Sequence, residues 1–302
     1  MELETQQGVL AWPPRKLKNN ANKLKELTDL RGKLVIKKLE NVTEAVDAEL
    51  ANLTNKPFID HLSLEWSKDP DWSTQDEGLE EELVEGLQPH PSLKILELDG
   101  YMSTHFPSWM MKMDTCLSNL TALYLSNCRR CSILPPLGRF PSFKKFYLRS
   151  MDKLEQWQVE SWEEIPCSNS LPNLTELDIS GCARLVSLPG PDILPALTRL
   201  IISYCKGLNE LPPLLPVLSY PPFTPRDLSH LEIRLMSSLT SMPRGMLQAL
   251  TQLESLTIRG CNQLVTIEDE VLPLTLKPLK FWFYLNLKSL SRKGLPSLLE
   301  RF

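Results

Sequence analysis

The stretch LPNLTELDISGCARLVSLP, residues 171–189, contains the spacing that decides the fold. Leu174, Leu177 and Ile179 precede Cys182 by eight, five and three positions. The alternation of Leu177 and Ile179 is typical of a β-strand that buries one face, because successive side chains of a strand point to opposite sides. The chain is expected to turn at Cys182, so that the leucines beyond it return to the same interior.

The same spacing recurs along the chain. Further copies end at Cys128, Cys205 and Cys261, and degenerate copies with other residues in the last position fill the gaps. Most spacings are near the roughly 20–29 residues of leucine-rich repeats, which gives about ten units. The predicted strands carry the apolar pairs Leu34/Ile36, Leu62/Leu64, Leu96/Leu98, Leu123/Leu125, Phe146/Leu148, Leu177/Ile179, Leu200/Ile202, Leu231/Ile233, Leu256/Ile258 and Leu279/Phe281.

Stacking of the units is a physical requirement. A single unit buries too few apolar side chains to offset the conformational entropy lost when its residues become ordered. The sequence therefore predicts an α/β leucine-rich-repeat solenoid (horseshoe), with a parallel sheet on the concave face and irregular loops and short helices on the convex face. The predicted organisation is an N-terminal flanking segment over 1–23, the solenoid over 24–290 and a C-terminal tail over 291–302.

Two long spacings between strands are expected to contain helices on the convex side. In the second of them, Leu79, Leu83 and Leu87 share one helical face, Thr74 and Glu77 match a capping box, and Pro89 ends the helix. In the first, a helical stripe is formed by Val42, Val46, Leu50 and Leu53.

The recurring cysteines are interpreted as structural. The ninth position of each unit lies in the bend after the strand, where its side chain can satisfy buried backbone groups. Cys128, Cys182, Cys205 and Cys261 hold this position, and we expect them to form a structural ladder. Cys128 and Cys131 also make a C-x-x-C motif, which can indicate zinc or redox chemistry, but a second such pair does not follow.

The sequence gives little support for catalysis, for metal or nucleic-acid binding, or for a membrane span. The four histidines form no recognisable nucleophile or metal motif, so the sequence predicts neither an enzyme nor a cofactor or metal site. A net charge of -4 gives no general reason to expect nucleic-acid binding. No run of 18 apolar residues and no signal-peptide pattern is present, and the seven cysteines fit a reducing compartment, so we expect an intracellular protein without a membrane span. The four Asn-x-Ser/Thr triplets keep a glycosylated, secreted protein as an alternative.

The solvent side of the predicted strands is the candidate binding surface. Strand positions 3, 5, 7 and 8 point away from the core, and positions 5 and 7 carry acids in the early units, two tyrosines in the middle and arginines late. Tyr, Trp and Arg are the residue types that anchor protein interfaces, and such a charge gradient, with the acidic predicted helix at its negative end, would orient a partner. The alternative is an ordinary solvated sheet face. The candidate residues are Glu65, Glu97, Asp99, Tyr124, Tyr147, Arg149, Asp178, Arg234, Arg259, Lys280 and Trp282.

Three long stretches are more specific than the repeat itself. They are LTDLRGKLVIKKLENVTEAVDAELANLTNK (27–56), LEEELVEGLQPHPSLKILELDGYMSTHFPSWM (79–110) and CRRCSILPPLGRFPSFKKFYLRSMDKLE (128–155). In order and wording they resemble the repeat region of plant disease-resistance proteins, the coiled-coil-type nucleotide-binding leucine-rich-repeat immune receptors. The resemblance covers residues 24–290. It implies a cytoplasmic receptor domain that recognises pathogen effectors or the host proteins they modify, and that restrains a nucleotide-binding module.

The chain departs from the full family pattern. The sequence has no G-x-x-x-x-G-K-[ST] phosphate loop and no N-terminal coiled-coil heptads, so the nucleotide switch of the family does not reside in these residues. A fragment, a truncated gene product and a free-standing repeat protein that acts as an adaptor or scaffold all remain open. In each case the expected partner is a protein: an effector, a guarded host protein or a nucleotide-binding module.

Overall fold

The structure is a computed structural model that describes residues 24–27, 29–67, 77–111, 117–157, 171–189, 193–209, 211, 227–242, 246–265, 273 and 275–276, together with the strand backbone of 7–11 and 279–282. The chain divides into two compact units, residues 1–143 and 144–302.

The first unit contains a parallel sheet whose strands follow one another in chain order. The strands are β1 (Gln7–Ala11), β2 (Gly32–Lys37), β3 (Ile59–Glu65), β4 (Ile95–Asp99) and β5 (Ala122–Ser126). Equivalent repeat positions lie opposite each other, so that Leu62 pairs with Leu96 and Leu96 with Leu123. This register aligns the buried rows of all the repeats.

The second unit has the same arrangement. Its strands are β6 (Lys145–Arg149), β7 (Glu176–Ser180), β8 (Arg199–Ser203), β9 (His230–Arg234), β10 (Ser255–Arg259) and β11 (Leu279–Trp282). Each strand pairs in parallel with the next, and Leu177 lies opposite both Phe146 and Leu200. All ten strands that the repeat spacing predicts are therefore present.

The first strand lies outside the predicted solenoid. Residues 1–23 are predicted to be a flanking segment, whereas β1 pairs with β2 from Gln7↔Lys33 to Ala11↔Lys37. The sheet of the first unit thus begins earlier than the leucine pattern indicates. The five residues of β1 do not show the leucine spacing of the other strands, and a cysteine at the ninth position does not follow them. The repeat pattern therefore does not predict this strand.

The core of each unit consists of the predicted apolar rows. The paired strand residues of β2 to β5 and β6 to β10 are at most 5% exposed, and Leu177 and Ile179 are 1% and 0% exposed. Within the described residues, the first leucine of each copy, such as Leu174 or Leu253, is buried beside them. The side chains of Leu279 and Phe281 lie outside the described residues.

The short helices lie between the strands. They are α1 (Val46–Glu49), α2 (Glu77–Gly86) and α3 (Ser108–Met111) in the first unit and α4 (Met246–Ala249) in the second, with 3-10 helices at Leu39–Asn41, Leu53–Asn55 and Leu137–Arg139. Helix α2 confirms the predicted amphipathic helix: Leu83 and Leu87 are buried, and the helix ends before Pro89. Thr74 and the side chain of Glu77, the predicted capping box, lie outside the described residues.

The predicted helical stripe at residues 42–53 is wrong as a single helix. Val42 and Leu53 are buried, but Val46 is 52% exposed. Asn52 adopts a left-handed backbone (φ 50°) that ends the helical turn of α1 and starts a separate 3-10 helix. Val42 and Leu53 therefore reach the core from separate short turns rather than from one continuous helix.

The residue after each strand has an unexpected backbone conformation. Position 8 of the repeat takes a positive φ in most units, and glycine occupies it at Gly100, Gly181 and Gly260. Its amide continues the ladder to the next repeat: Gly181 N donates to Ser203 O at 2.9 Å. The left-handed residue turns the chain sharply, which brings the ninth position into the interior. The non-glycine residues with the same conformation at this position are Lys38, Asn127, Ser150, Tyr204 and Leu235.

Candidate protein-binding face

The candidate residues lie where the strand alternation predicts. In the first unit, Glu65, Glu97, Asp99 and Tyr124 are half-buried, and in the second, Tyr147 and Asp178 are half-buried while Arg149, Arg234 and Arg259 are exposed. Each alternates with buried core residues, so these side chains lie on the solvent side of their sheets. Lys280 and Trp282 are in β11, opposite Thr257 and Arg259, and their side chains are outside the described residues.

Glu97 is the most strongly perturbed acid of the first unit. His61 Nε2 lies 2.9 Å from its Oε1, and Lys33 Nζ lies 3.4 Å from its Oε2. The close contact with His61 lowers the pKa of Glu97 to about 2, helped by the charges of His61 and Lys33 and opposed by partial burial. Glu97 is therefore ionised and already compensated at neutral pH.

The other two acids of this face are also partnered. Glu65 forms an ion pair with Lys37 at 3.2 Å and accepts a hydrogen bond from Ser63 Oγ at 3.3 Å. Asp99 accepts a hydrogen bond from Asn127 Nδ2 at 2.6 Å. Lys33 and Lys37 therefore neutralise part of the negative field that is expected at the early strands.

Three carboxylates of the acidic helix α2 accept hydrogen bonds from the segment that follows it in the first unit. Glu80 is 5% exposed and accepts a hydrogen bond from the backbone amide of Met102 at 2.9 Å. Glu81 and Glu85 accept hydrogen bonds from the hydroxyls of Ser103 and Ser108. These carboxylates hold the 102–108 segment onto α2, which is a structural role within the first unit.

In the second unit the ion pairs run along and across neighbouring strands. Glu176 accepts hydrogen bonds from Lys145 Nζ at 2.9 Å and Tyr147 Oη at 2.8 Å. Although partial burial opposes the shift, these bonds lower the pKa of Glu176. Arg149 lies 3.5 Å from Asp178, whose pKa is raised by burial in spite of that partner.

Acids and bases of the second unit differ in exposure. In the pairs Lys145–Glu176, Arg149–Asp178 and Arg234–Glu232, the cationic side chains are 44–59% exposed and the acidic ones 14–29%. Long basic side chains reach past the shorter acids and keep their charged ends in water. The outermost layer of this face is therefore cationic, as the predicted late arginines suggest.

Three small residues of the face are covered rather than exposed. Val35, Ser63 and Ser203 occupy outward strand positions, yet they are 7%, 1% and 7% exposed. Ser63 Oγ donates to Glu65, and Ser203 Oγ donates to Ser180 Oγ at 2.9 Å. Longer neighbours close over them, so these positions support the face and do not present a surface.

Position 3 is predicted to face outward, but the candidate residues were drawn from positions 5 and 7 alone. Position 3, at or next to the start of each strand, supplies partners of the candidates Glu97 and Tyr147. The period-2 alternation that marks this row was therefore present in the sequence. The ionisable members of this row are Lys33, His61, Lys145, Glu176, Arg199 and His230.

The four cysteines of the predicted ladder lie in the interior. Cys128, Cys182, Cys205 and Cys261 are all 0% exposed. Each thiol contacts the carbonyl oxygen two residues earlier, at 3.5, 3.8, 3.3 and 3.7 Å respectively. The ninth side chain thus adds a second donor to the carbonyl at the end of its own strand, which already accepts the amide of position 8 in the preceding repeat.

The C-x-x-C motif has the same character. Cys131 Sγ donates to the carbonyl oxygen of Ser103 at 3.1 Å, and burial raises the pKa of both Cys128 and Cys131 well above the usual range of a thiol. Protonated, fully buried thiols are neither nucleophiles nor metal ligands. The structural interpretation of this motif therefore agrees with its geometry.

Parallel strands in chain order, a buried L-x-x-L-x-L row and a ninth residue bonded to the bend define a leucine-rich-repeat solenoid of the α/β class. Residues 21–151 match the sequence model of a family described as R13L1/DRL21 LRRs. None of the helices in the described parts of the chain is long and apolar enough to cross a membrane.

Curated relatives place this solenoid more narrowly. The chain is 31% identical over 246 residues to disease resistance protein RGA2 of Solanum bulbocastanum, covering 78% of this chain and 24% of that protein. It is 31% identical over 134 residues to a protein named as disease resistance RPP13-like protein 1 of Arabidopsis thaliana, covering 43% of this chain and 12% of that protein. The chain thus contains a leucine-rich-repeat domain homologous to those of plant disease-resistance proteins, and it spans less than a quarter of the length of these relatives.

A solved structure shows a similar arrangement. The leucine-rich-repeat domain of the type III effector XopL aligns with a TM-score of 0.49 and 19% identity, over 96% of this chain and 78% of that one.

Proposed function

We propose that this chain is an intracellular recognition domain of plant innate immunity whose solvent-side strand residues bind a protein partner. The partner is a pathogen effector, a host protein that an effector modifies, or the nucleotide-binding module of a full-length receptor. The homology to disease-resistance proteins supports the biological setting. Non-catalytic binding fits a repeat domain of this kind.

The observation that carries the proposal is the state of the sheet faces. On β6, Tyr147 is half-buried and Arg149 is exposed. Both side chains are oriented by contacts to residues of β7. A side chain that is ordered before binding loses less entropy when a partner arrives. Tyrosine and arginine in that state are the residue types that dominate binding energy at interfaces.

A binding screen tests the proposal. The chain is titrated by calorimetry against candidate effectors and against a nucleotide-binding module of a related receptor. For a partner that binds, we expect Tyr124→Ala or Tyr147→Ala to weaken the affinity about fivefold or more, because an interface anchor is lost. The matched control is Val186→Ala, since Val186 is 54% exposed but follows the bend beyond the strand.

Two results decide whether the strand face is the binding surface. Circular dichroism must show unchanged melting for the tyrosine variants, so that lost binding is not lost folding. If both tyrosine variants bind every identified partner as tightly as the wild type while Val186→Ala binds less tightly, the strand face is not the binding surface.

Restraint of a nucleotide-binding module is tested separately. The chain is added to a purified module, and release of a fluorescent ADP analogue is followed. Slower release in the presence of the chain supports restraint, and an unchanged rate at saturating chain refutes it.

A further inference from the structure

Two large apolar side chains stand next to each other at the edge of the face in the second unit. Tyr204 and Leu235 follow β8 and β9 directly, at position 8 of their repeats, and they are 54% and 37% exposed. The amide of Tyr204 donates to the carbonyl of Arg234 at 3.1 Å, and that of Leu235 to Arg259 at 2.7 Å. They therefore occupy successive rungs of one ladder, about 4.8 Å apart.

Both residues have a backbone conformation that disfavours them. Their φ angles are 54° and 50°, in the left-handed region where a side chain crowds its own backbone. Gly181 and Gly260 take the same conformation on the flanking rungs, with φ of 70° and 65°. Glycine would thus fit rungs 204 and 235 with less strain, yet the chain carries a tyrosine and a leucine that remain exposed there. Lys38, Asn127 and Ser150 take the same conformation with polar side chains, so what marks Tyr204 and Leu235 is a large apolar side chain left exposed. Such a side chain adds nothing to the core, which points to a role outside folding.

The glycine beside Leu235 makes room for it. A methyl group built on Gly260 would come within 2.7 Å of Leu235 Cδ2, so any larger residue would push the leucine away. On the other flank, a methyl group on Gly181 would contact the Ser150 side chain rather than Tyr204. The residues on either side of the apolar pair are therefore glycines without side chains, and the pair projects beyond them.

The strands next to this pair present positive charge. Positions 3, 5 and 7 of β6 to β10 carry five basic side chains and three acidic ones, and in the three pairs formed there the base is the more exposed partner. Arg234, which is 45% exposed, directly precedes Leu235, and its carbonyl oxygen accepts the hydrogen bond from the amide of Tyr204. The basic residues are Lys145, Arg149, Arg199, Arg234 and Arg259, and the acidic ones are Glu176, Asp178 and Glu232.

We infer that Tyr204 and Leu235 form an apolar anchor for an acidic protein segment that lies across the strands of residues 144–302. An aromatic or aliphatic side chain of the segment packs on the pair, and its carboxylates lie over the exposed arginines. Charge complementarity with the arginines selects an acidic segment. The apolar pair also requires that segment to carry an apolar side chain that packs on it. This inference rests on the proposed function, because it names the class of partner that the face binds.

Synthetic peptides provide the test. The probe is a fluorescein-labelled peptide of glutamates around a central Trp-Leu pair, titrated with the whole chain by fluorescence anisotropy. One control peptide replaces the Trp-Leu pair by Ser-Ser, and a second replaces the glutamates by lysines. We expect the probe to bind at least about fivefold more tightly than either control, and its affinity to fall as salt is added.

Glycine variants separate binding from folding. Tyr204→Gly and Leu235→Gly remove the side chains but suit the positive φ, so we expect unchanged or slightly raised melting temperatures. Each variant should weaken binding of the probe about fivefold or more, while Tyr204→Phe and the distant Val186→Gly leave it unchanged. Arg234→Gln should weaken binding of the probe and reduce its salt dependence.

The outcomes distinguish this inference from the proposed function. Equal binding of the probe and the Ser-Ser control, or of wild type and both glycine variants, would reduce the surface to a general polyanion site and overturn the inference. No binding of the probe by wild type overturns it as well. If a partner from the effector screen then binds through Tyr147, the proposed function stands without this anchor.

Discussion

His61 Nε2 lies 2.9 Å from Glu97 Oε1 across strands β3 and β4, and Lys33 approaches the other carboxylate oxygen from β2. Three neighbouring strands thus meet in one charged cluster on the solvent side of the first unit. The cluster belongs to the outward rows, where nothing in the core dictates the residue types. It gives that face a pH-dependent stability.

The first prediction concerns this dependence. The pKa of Glu97 is lowered from its ordinary value of 4.5 to about 2, so ionised Glu97 stabilises the fold above pH 4.5. That contribution is lost as the pH falls from 4.5 through 2. We expect Glu97→Gln to lower the free energy of unfolding by about 1 kcal/mol at pH 7, allowing for solvent screening. The difference from wild type should vanish at pH 2.

Urea unfolding at a series of pH values measures this effect. Glu254→Gln, a change at an exposed carboxylate of the second unit, is the control and should leave stability unchanged across the series. A constant difference between wild type and Glu97→Gln from pH 7 to pH 2 would show that the carboxylate charge is irrelevant.

A second prediction follows from the buried thiols. Cys128, Cys131, Cys182, Cys205 and Cys261 are all 0% exposed, and burial raises the pKa of Cys128, Cys131 and Cys261. Because the thiolate is the reactive form, these cysteines should not react with a thiol reagent in the native state. We expect reaction at all five only after denaturation.

The measurement uses a variant that carries Cys116→Ser and Cys167→Ser, since these two cysteines lie outside the described residues. Reaction with DTNB is followed by absorbance in native buffer and in guanidinium chloride. Rapid native labelling of any ladder cysteine, located by mass spectrometry, would contradict the buried ladder.

The leucine spacing was sufficient to predict ten strands and their inward rows because burial acts on side chains at fixed offsets within one unit. The burial of Leu177 and Ile179 follows from the alternation of apolar and polar residues within a single short stretch of sequence. Most of the outward ion pairs join different repeats: Lys145 and Glu176 are 31 positions apart, and Lys33 and Glu97 are 64 apart. Inserts between strands set those offsets, so single units do not reveal which charges meet.

The backbone at position 8 shows a second limit of the sequence. Glycine at this position suggests a left-handed turn, but Tyr204 and Leu235 take the same conformation without any local signal. The preceding strand and the buried ninth residue impose the turn from both sides. Local propensity is therefore overruled by the repeat, and the sequence alone assigned these residues no role.

A third prediction compares the two rows of one strand. Leu256 is fully buried in β10, and Thr257 next to it is half-buried on the solvent side. We expect Leu256→Ala to lower the free energy of unfolding by about 2–5 kcal/mol, because it leaves a cavity in the core. Thr257→Ala is the matched control and should change it by less than about 0.5 kcal/mol. Chemical denaturation measures both, and equal effects would place the strand in the wrong phase.

The last prediction concerns the close approach of two bends in the second unit. A methyl group on Gly207 would lie 2.6 Å from Leu185 O, 2.9 Å from Arg184 C and 3.0 Å from Ala183 O. All three contacts are backbone atoms of the preceding repeat, which cannot rotate away as a side chain would. We expect Gly207→Ala to lower the free energy of unfolding by about 1–3 kcal/mol through overpacking. Gln263 holds the same repeat position after β10 and is exposed, so Gln263→Ala should change stability by less than about 0.5 kcal/mol. Urea denaturation of both variants decides the point: if Gly207→Ala is as stable as Gln263→Ala, the spacing of the two bends is not limited by this glycine.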